Sequence, residues 1–163
     1  MSITRVEVED FLFHEAELLD DWRLEEWYQL FDKEAQYLIP STNLKHDANN
    51  KEQLFLVADD YLRIKGRAER LMKKGAHVEF PHAKVRHLVN NVRIKDVEQH
   101  GEDTIIYVAA NFAVYRSKRE MDTYTGEYHY KLIHSKDGFR ILEKKALLSM
   151  YNLRPHGKIS VIL

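Results

Sequence analysis

The stretch Thr104–Arg116 constrains the fold of this chain more than any other segment. Ile106, Val108, Ala110, Phe112 and Val114 alternate along it, so they face one side of a strand. The opposite side carries Ile105, Tyr107, Ala109, Ala113 and Tyr115 and is nearly as apolar. A strand apolar on both sides belongs inside a sheet that is covered on both faces. Helices are the expected cover on one face and a partner subunit on the other. Lys84–Glu98, Tyr124–His134 and Phe139–Leu148 read as its companion strands. Turns at His100–Asp103 and Ser135–Gly138 join them, the second with Gly in its last position. Alternation slips near Asn90-Asn91, which predicts a β-bulge.

The first half reads differently. Thr4–Asp20 carries a helical stripe of Val8, Phe11, Leu12, Glu15, Leu18 and Leu19, and Thr4 with Glu7 fits a capping box. A second helix is expected from Asp21 or Trp22 to Phe31, with Leu24, Trp27, Tyr28 and Phe31 on one face. Ala35–Ile39 reads as a short strand ended by Pro40. The polar residues 41–51 read as a loop, and Glu52–Val57 as another strand. Asp59 is the expected N-cap of a third helix, Tyr61–Lys73, closed by Gly75. Helices grouped ahead of strands joined by short turns indicate an α+β fold. The expected shape is a strongly curved antiparallel sheet, a cone-like half-barrel. About three helices from the N-terminal half pack in its concave face.

At 163 residues the chain is expected to form a single domain, residues 1–163. It contains no cysteine, which removes disulfides, thiolate metal sites, cysteine nucleophiles and cysteine-held iron–sulfur clusters. Its 25 basic and 26 acidic residues nearly cancel, which argues against a dedicated nucleic-acid binder. No apolar run approaches the roughly 18 residues a membrane span needs. The segment Met1–Arg5 has no apolar core of signal-peptide type. A soluble, cytoplasmic protein is expected.

Nine histidines raise the question of a metal site. His82 and His87 lie five apart, as do His129 and His134, and an odd spacing puts strand residues on opposite faces. Neither pair makes a natural chelate, and no metal site is expected. Acid–base chemistry inside a cone would need titratable groups with tuned pKa values. The candidates are Asp32, His87, Tyr28 and Tyr107. Asp32 also reads as a turn residue, and the two tyrosines as core aromatics with a polar tip.

Several segments occur together in a distinctive order: 11–20, Trp27, 32–40, Arg63–Leu71, Glu79–Val92, Ala110–Arg116, Asn152-Leu153, and the apolar Ile159–Leu163. Across nearly the whole chain this resembles the small (beta) subunits of aromatic-ring-hydroxylating dioxygenases. Where that family often has a Pro-Ser-Arg-Thr-Arg type sequence, this chain has Pro81-His82-Ala83-Lys84-Val85-Arg86. Lys84 there loses the planar donor fork of an arginine.

The resemblance implies a ketosteroid-isomerase-like cone and a structural, non-catalytic role. It implies assembly with a large alpha subunit, as three of each, with self-association as a trimer. The Rieske iron–sulfur cluster and the mononuclear iron would sit in that alpha subunit, and electrons would come from NADH through partner proteins. No cofactor is expected in this chain. Arg67 and Arg70 on the basic third helix, with Arg86, are candidate interface residues, because a guanidinium can grip a carboxylate with two bonds. The apolar Ile159, Val161, Ile162 and Leu163 are expected to pack into a subunit interface, either against a second copy or within the chain's own barrel edge. The alternative is a stand-alone acid–base enzyme, of isomerase or dehydratase type, with its pocket in the same cone. A module that binds small aromatic ligands is a third reading.

Overall fold

The fold is described from a computed structural model, in which residues 2–41, 55–73, 82–150, 159 and 161–163 are placed. Helix α1 spans Arg5–Asp20. The Thr4 hydroxyl accepts from the Glu7 backbone N–H at 3.2 Å, the first half of the expected capping box. The Glu7 carboxylate accepts from that same hydroxyl instead of from a backbone donor.

Two backbone bonds close α1, Trp22 N–H to the Leu19 carbonyl (3.2 Å) and Arg23 N–H to the Leu18 carbonyl (2.9 Å). This is the Schellman arrangement, and it puts Trp22 at φ 56°, where glycine is the usual occupant. The indole is tied down on two sides. It stacks on His82 with ring centroids 4.0 Å apart, and its N–H donates to the Ala83 carbonyl at 3.0 Å.

That turn explains why helix α2 is only Leu24–Tyr28, shorter than its apolar spacing predicts. Phe31 opens strand β1, Phe31–Pro40, which begins four residues before the expected strand. Strand β2 is Phe55–Asp60, which runs three residues past the end of the expected Glu52–Val57; residues 52–54 lie outside the described set. Asp60, one residue beyond the expected cap, accepts from the Arg63 backbone N–H at 3.0 Å and starts helix α3, Tyr61–Met72. Asp59 turns inward and binds Arg67. Gly75 and residues 42–51 of the expected loop lie outside the described residues.

Strands β3 (Lys84–His100), β4 (Asp103–Ser117), β5 (Met121–Ser135) and β6 (Gly138–Leu148) form an antiparallel meander. The six-stranded sheet runs β2-β1-β6-β5-β4-β3 and is curved and unclosed. One junction departs from the antiparallel expectation: β1 lies parallel to β6. The connection between them contains α3 and four strands, so no tight turn forces them to run oppositely.

The register of β3 against β4 shifts between Asn90 and Arg93, with Asn91 at φ 51°, where the bulge was expected. A second shift follows between Ile94 and Asp96. Bulges bend a strand, so both help the sheet to curl.

The inward row of β4 is as the sequence predicts: Ile106, Val108, Ala110, Phe112 and Val114 are all buried. They meet Val8, Leu12, Leu18 and Leu19 of α1 and Leu24 and Trp27 of α2 in one core. Burying each large aliphatic or aromatic side chain there contributes about 1.5–3 kcal/mol. The outward row is only partly covered within the chain, and Tyr115 and Leu88 on that face are exposed. None of the described helices is long and apolar enough to cross a membrane.

Candidate functional site

In-register pairing builds a cross-strand row on the concave face. Tyr37 of β1 lies beside Lys144 of β6, which lies beside Tyr130 of β5, which lies beside Val108 of β4. Lys144 is therefore a charged residue aimed into the core, and it is completely buried. Glu15 comes down from the apolar stripe of α1 to meet it. The Lys144 Nζ donates to Glu15 Oε2 at 2.5 Å. The Trp27 indole N–H donates to the same oxygen at 3.0 Å, and the Tyr130 hydroxyl donates to Oε1 at 2.6 Å. Three tyrosine rings surround the ammonium, with centroids at 4.6 Å (Tyr128), 5.7 Å (Tyr130) and 5.8 Å (Tyr37).

The electrostatics follow from burial. Desolvation lowers the Lys144 pKa below the ordinary lysine value, while the Glu15 charge and hydrogen bond oppose it. Burial first, then the Glu15 charge, pushes the Tyr128 and Tyr130 hydroxyls well above their ordinary value. Burial raises Tyr37 as well. Both Glu15 oxygens are engaged by the chain's own donors, which occupy three of the carboxylate's roughly four acceptor sites.

The space beside this cluster is closed by residues 161–163. Val161, Ile162 and Leu163 are buried in the chain's own core, the second of the two placements their sequence left open. The Tyr37 hydroxyl donates to the Leu163 main-chain oxygen and accepts from the Leu163 N–H, both at 3.1 Å. His87 reaches the Ile162 carbonyl through Nε2 at 2.7 Å. The gap left among Leu19, Trp22, Leu24, Val85, His87, Val161 and Ile162 is about 10 Å³, room for at most one water.

The four candidate acid–base residues do not converge. Asp32 pairs with Arg140 at 3.1 Å and accepts from the Glu34 N–H, on β1. Tyr28 packs edge-on against Tyr61. Tyr107 lies on the convex face, where its hydroxyl donates to Glu98 at 3.2 Å. Only His87 reaches the interior, where its Nδ1 and backbone N–H both meet Asp20 Oδ1.

Of the candidate interface residues, Arg67 is half-buried and committed to Asp59 at 2.7 Å. Arg70 is on an exposed stretch of α3, and Ile159 is half-buried. Arg86 points outward from β3 and lines an open crevice of about 400 Å³ with Phe13, Glu17, Asp20 and Asp21. His129 is on the convex face and His134 on the opposite one against Phe139, as their odd spacing requires. Among the described residues, no group of three or more His, Cys, Asp or Glu side chains is arranged to hold a metal ion.

The Glu15–Lys144 pair and its tyrosines were not among the sequence-derived candidates. A signal was present on both sides. Glu15 lies on the apolar stripe of α1, and Lys144 is in phase with the inward Ala146 and Leu148 of β6.

A curved α+β half-barrel whose hollow, among the described residues, is lined by its own packed side chains defines a cone of NTF2-like fold. The chain belongs to the ring-hydroxylating beta-subunit family, whose profile matches residues 14–154. It is 46% identical over 162 residues to the small oxygenase component of a p-cumate 2,3-dioxygenase system from Pseudomonas putida, a match that covers 99% of this chain and 88% of that one. It is 33% identical over 152 residues to a benzene 1,2-dioxygenase beta subunit from Pseudomonas putida, covering 87% and 80%. Among solved structures, naphthalene 1,2-dioxygenase with indole bound in its active site superposes with a TM-score of 0.83 at 18% identity. That match covers 98% of this chain and 85% of the other, and it shows the likeness of fold.

Proposed function

We propose that this chain is the non-catalytic beta subunit of an aromatic-ring-hydroxylating dioxygenase and supports the large alpha subunit that performs the oxidation. The observation that carries this reading is the filled hollow. A cone-fold enzyme keeps its acid and base beside an open pocket. Here both oxygens of the buried carboxylate are held by Lys144, Trp27 and Tyr130, and residues 161–163 pack beside the cluster. Family membership and the small-component role of the 46% identical relative support the same reading.

The finer assignments belong to this proposal. The complex contains three alpha and three beta chains. Rieske and mononuclear iron reside in the alpha subunits, and electrons arrive from NADH through partner proteins. The exposed Arg70 and Arg86 are proposed to grip carboxylates on neighbouring subunits, while Arg67 supports its own chain through Asp59. Ile159, Val161, Ile162 and Leu163 act on assembly through the shape of the cone. An alkyl-substituted aromatic acid such as p-cumate is the first substrate to test.

Co-expression with the large subunit is the test. A complex with equal numbers of the two chains is expected, with turnover that requires both. Asp32→Asn is expected to leave that turnover unchanged. A large subunit that assembles and turns over equally well alone would overturn the proposal. So would stoichiometric tightly bound iron in this chain purified by itself.

A further inference from the structure

We propose that the cone retains a peptide-binding site which the chain fills with its own residues 161–163, held by Tyr37 and His87 through main-chain atoms alone. Each polar contact supports the reading of this segment as an intramolecular ligand. The Tyr37 hydroxyl serves one amino acid twice, accepting from the Leu163 N–H and donating to its main-chain oxygen. His87 donates to the carbonyl of the residue before it. The other ring nitrogen and the backbone N–H of His87 are bound to Asp20 Oδ1, at 2.7 and 2.8 Å. One ring nitrogen thus faces the Asp20 carboxylate and the other the Ile162 carbonyl. Asp20 thereby fixes the ring with Nε2 aimed at the segment.

The two pins stand on strands near opposite margins of the sheet, β1 and β3, with β6, β5 and β4 between them. No hydrogen bond of the sheet ladder connects those strands, so the segment bridges the open half-barrel. Its recognition is generic at the backbone and apolar at the side chains. Leu163 is fully buried, Val161 and Ile162 nearly so. The ligand class this defines is a short peptide of branched aliphatic residues.

The test uses the full chain carrying Val161→Gly, Ile162→Gly and Leu163→Gly, titrated with acetyl-Val-Ile-Leu. The peptide is expected to raise the melting temperature of this variant by about 4 °C at saturating concentration and to leave the unsubstituted protein unmoved, because its site is filled. Adding Tyr37→Phe is expected to abolish the gain. No shift in a variant that keeps its near-ultraviolet dichroism, or an equal shift in the unsubstituted protein, overturns the proposal. Should the triple variant not fold, Tyr37→Phe alone decides. The Leu163 amide is then expected to exchange with solvent at least about 10-fold faster while β4 and β5 keep their protection. Unchanged exchange at Leu163 overturns it.

Discussion

Replacing Lys144 by Met tests the reasoning about the buried pair most directly. Met keeps most of the aliphatic stem and removes the charge. The Lys144 and Glu15 side chains are 1% and 2% exposed, so solvent screening is negligible. Removing one partner of a buried pair costs about 3–5 kcal/mol. Glu15 would still accept from Trp27 and Tyr130, which places Lys144→Met near the lower end, about 3 kcal/mol. Glu15→Gln should cost a similar amount, about 3 kcal/mol, because the ammonium would then face a neutral amide and tyrosine rings with no countercharge.

The double variant is the discriminating one. It buries no charge, and the glutamine amide can still bond to Trp27 and Tyr130. Its expected loss is about 1–2 kcal/mol, far below the combined loss of the singles. Equilibrium urea unfolding followed by tryptophan fluorescence reads all three, since Trp27 sits in the cluster. Strictly additive losses, or a Lys144→Met loss below about 1 kcal/mol, would refute the reasoning.

The same pair shapes the pH dependence. Burial holds the Lys144 pKa below its unfolded value of about 10.4, so between the two values the unfolded chain binds more protons. Stability from this group therefore rises with pH across that window, and Lys144→Met should lose that rise.

Three further outcomes are expected. Tyr37, Tyr128 and Tyr130 are raised by burial, so above about pH 10 the fold holds protons that the unfolded chain has released. Stability should fall from there upward, and phenolate absorbance should show these three tyrosines titrating only as the protein unfolds. Gly126→Ala would bring a Cβ within 2.1 Å of the Leu147 carbonyl oxygen and 3.0 Å of the Phe112 ring. A loss of about 2–3 kcal/mol, seen as a melting point roughly 6–10 °C lower, is expected. Asp60→Ala should cost about 1 kcal/mol and loosen the first turn of α3 in hydrogen exchange, whereas Asp59→Ala should leave that turn capped.

The long strands were the most legible part of the sequence, because a period of two on β4 sorts its residues into two rows, and the row Ile106, Val108, Ala110, Phe112 and Val114 is wholly buried. The helix boundaries were less legible where a backbone motif overrode a side-chain pattern. The spacing of Leu24, Trp27, Tyr28 and Phe31 fits a longer helix, but the left-handed turn at Trp22 delays its start and Phe31 joins the sheet. Asp59 and Asp60 are both fitting caps by type. Only the direction of the chain out of β2 decides that Asp60 caps and Asp59 faces Arg67.

The buried cluster was the least legible feature. Lys144 stands between Glu143 and Lys145, a local composition that reads as surface. Its phase with Ala146 and Leu148 is visible locally, but the register shift opposite Lys131–Leu132 breaks its alternation with Ile141, so the strand as a whole does not mark it as inward. Histidine spacing correctly separated His129 from His134, but it could not show that His87 meets Asp20 67 residues away.

The parallel contact of β1 with β6 ties the earliest strand to the latest one in the sheet. Until residues 138–148 are in place, β1 and β2 have no edge to dock on. The β1–β2 pair and the meander thus cannot mature as independent folding units. Slow refolding limited by this distant encounter is the natural kinetic outcome, and a fragment lacking β6 should leave residues 31–60 without a stable home.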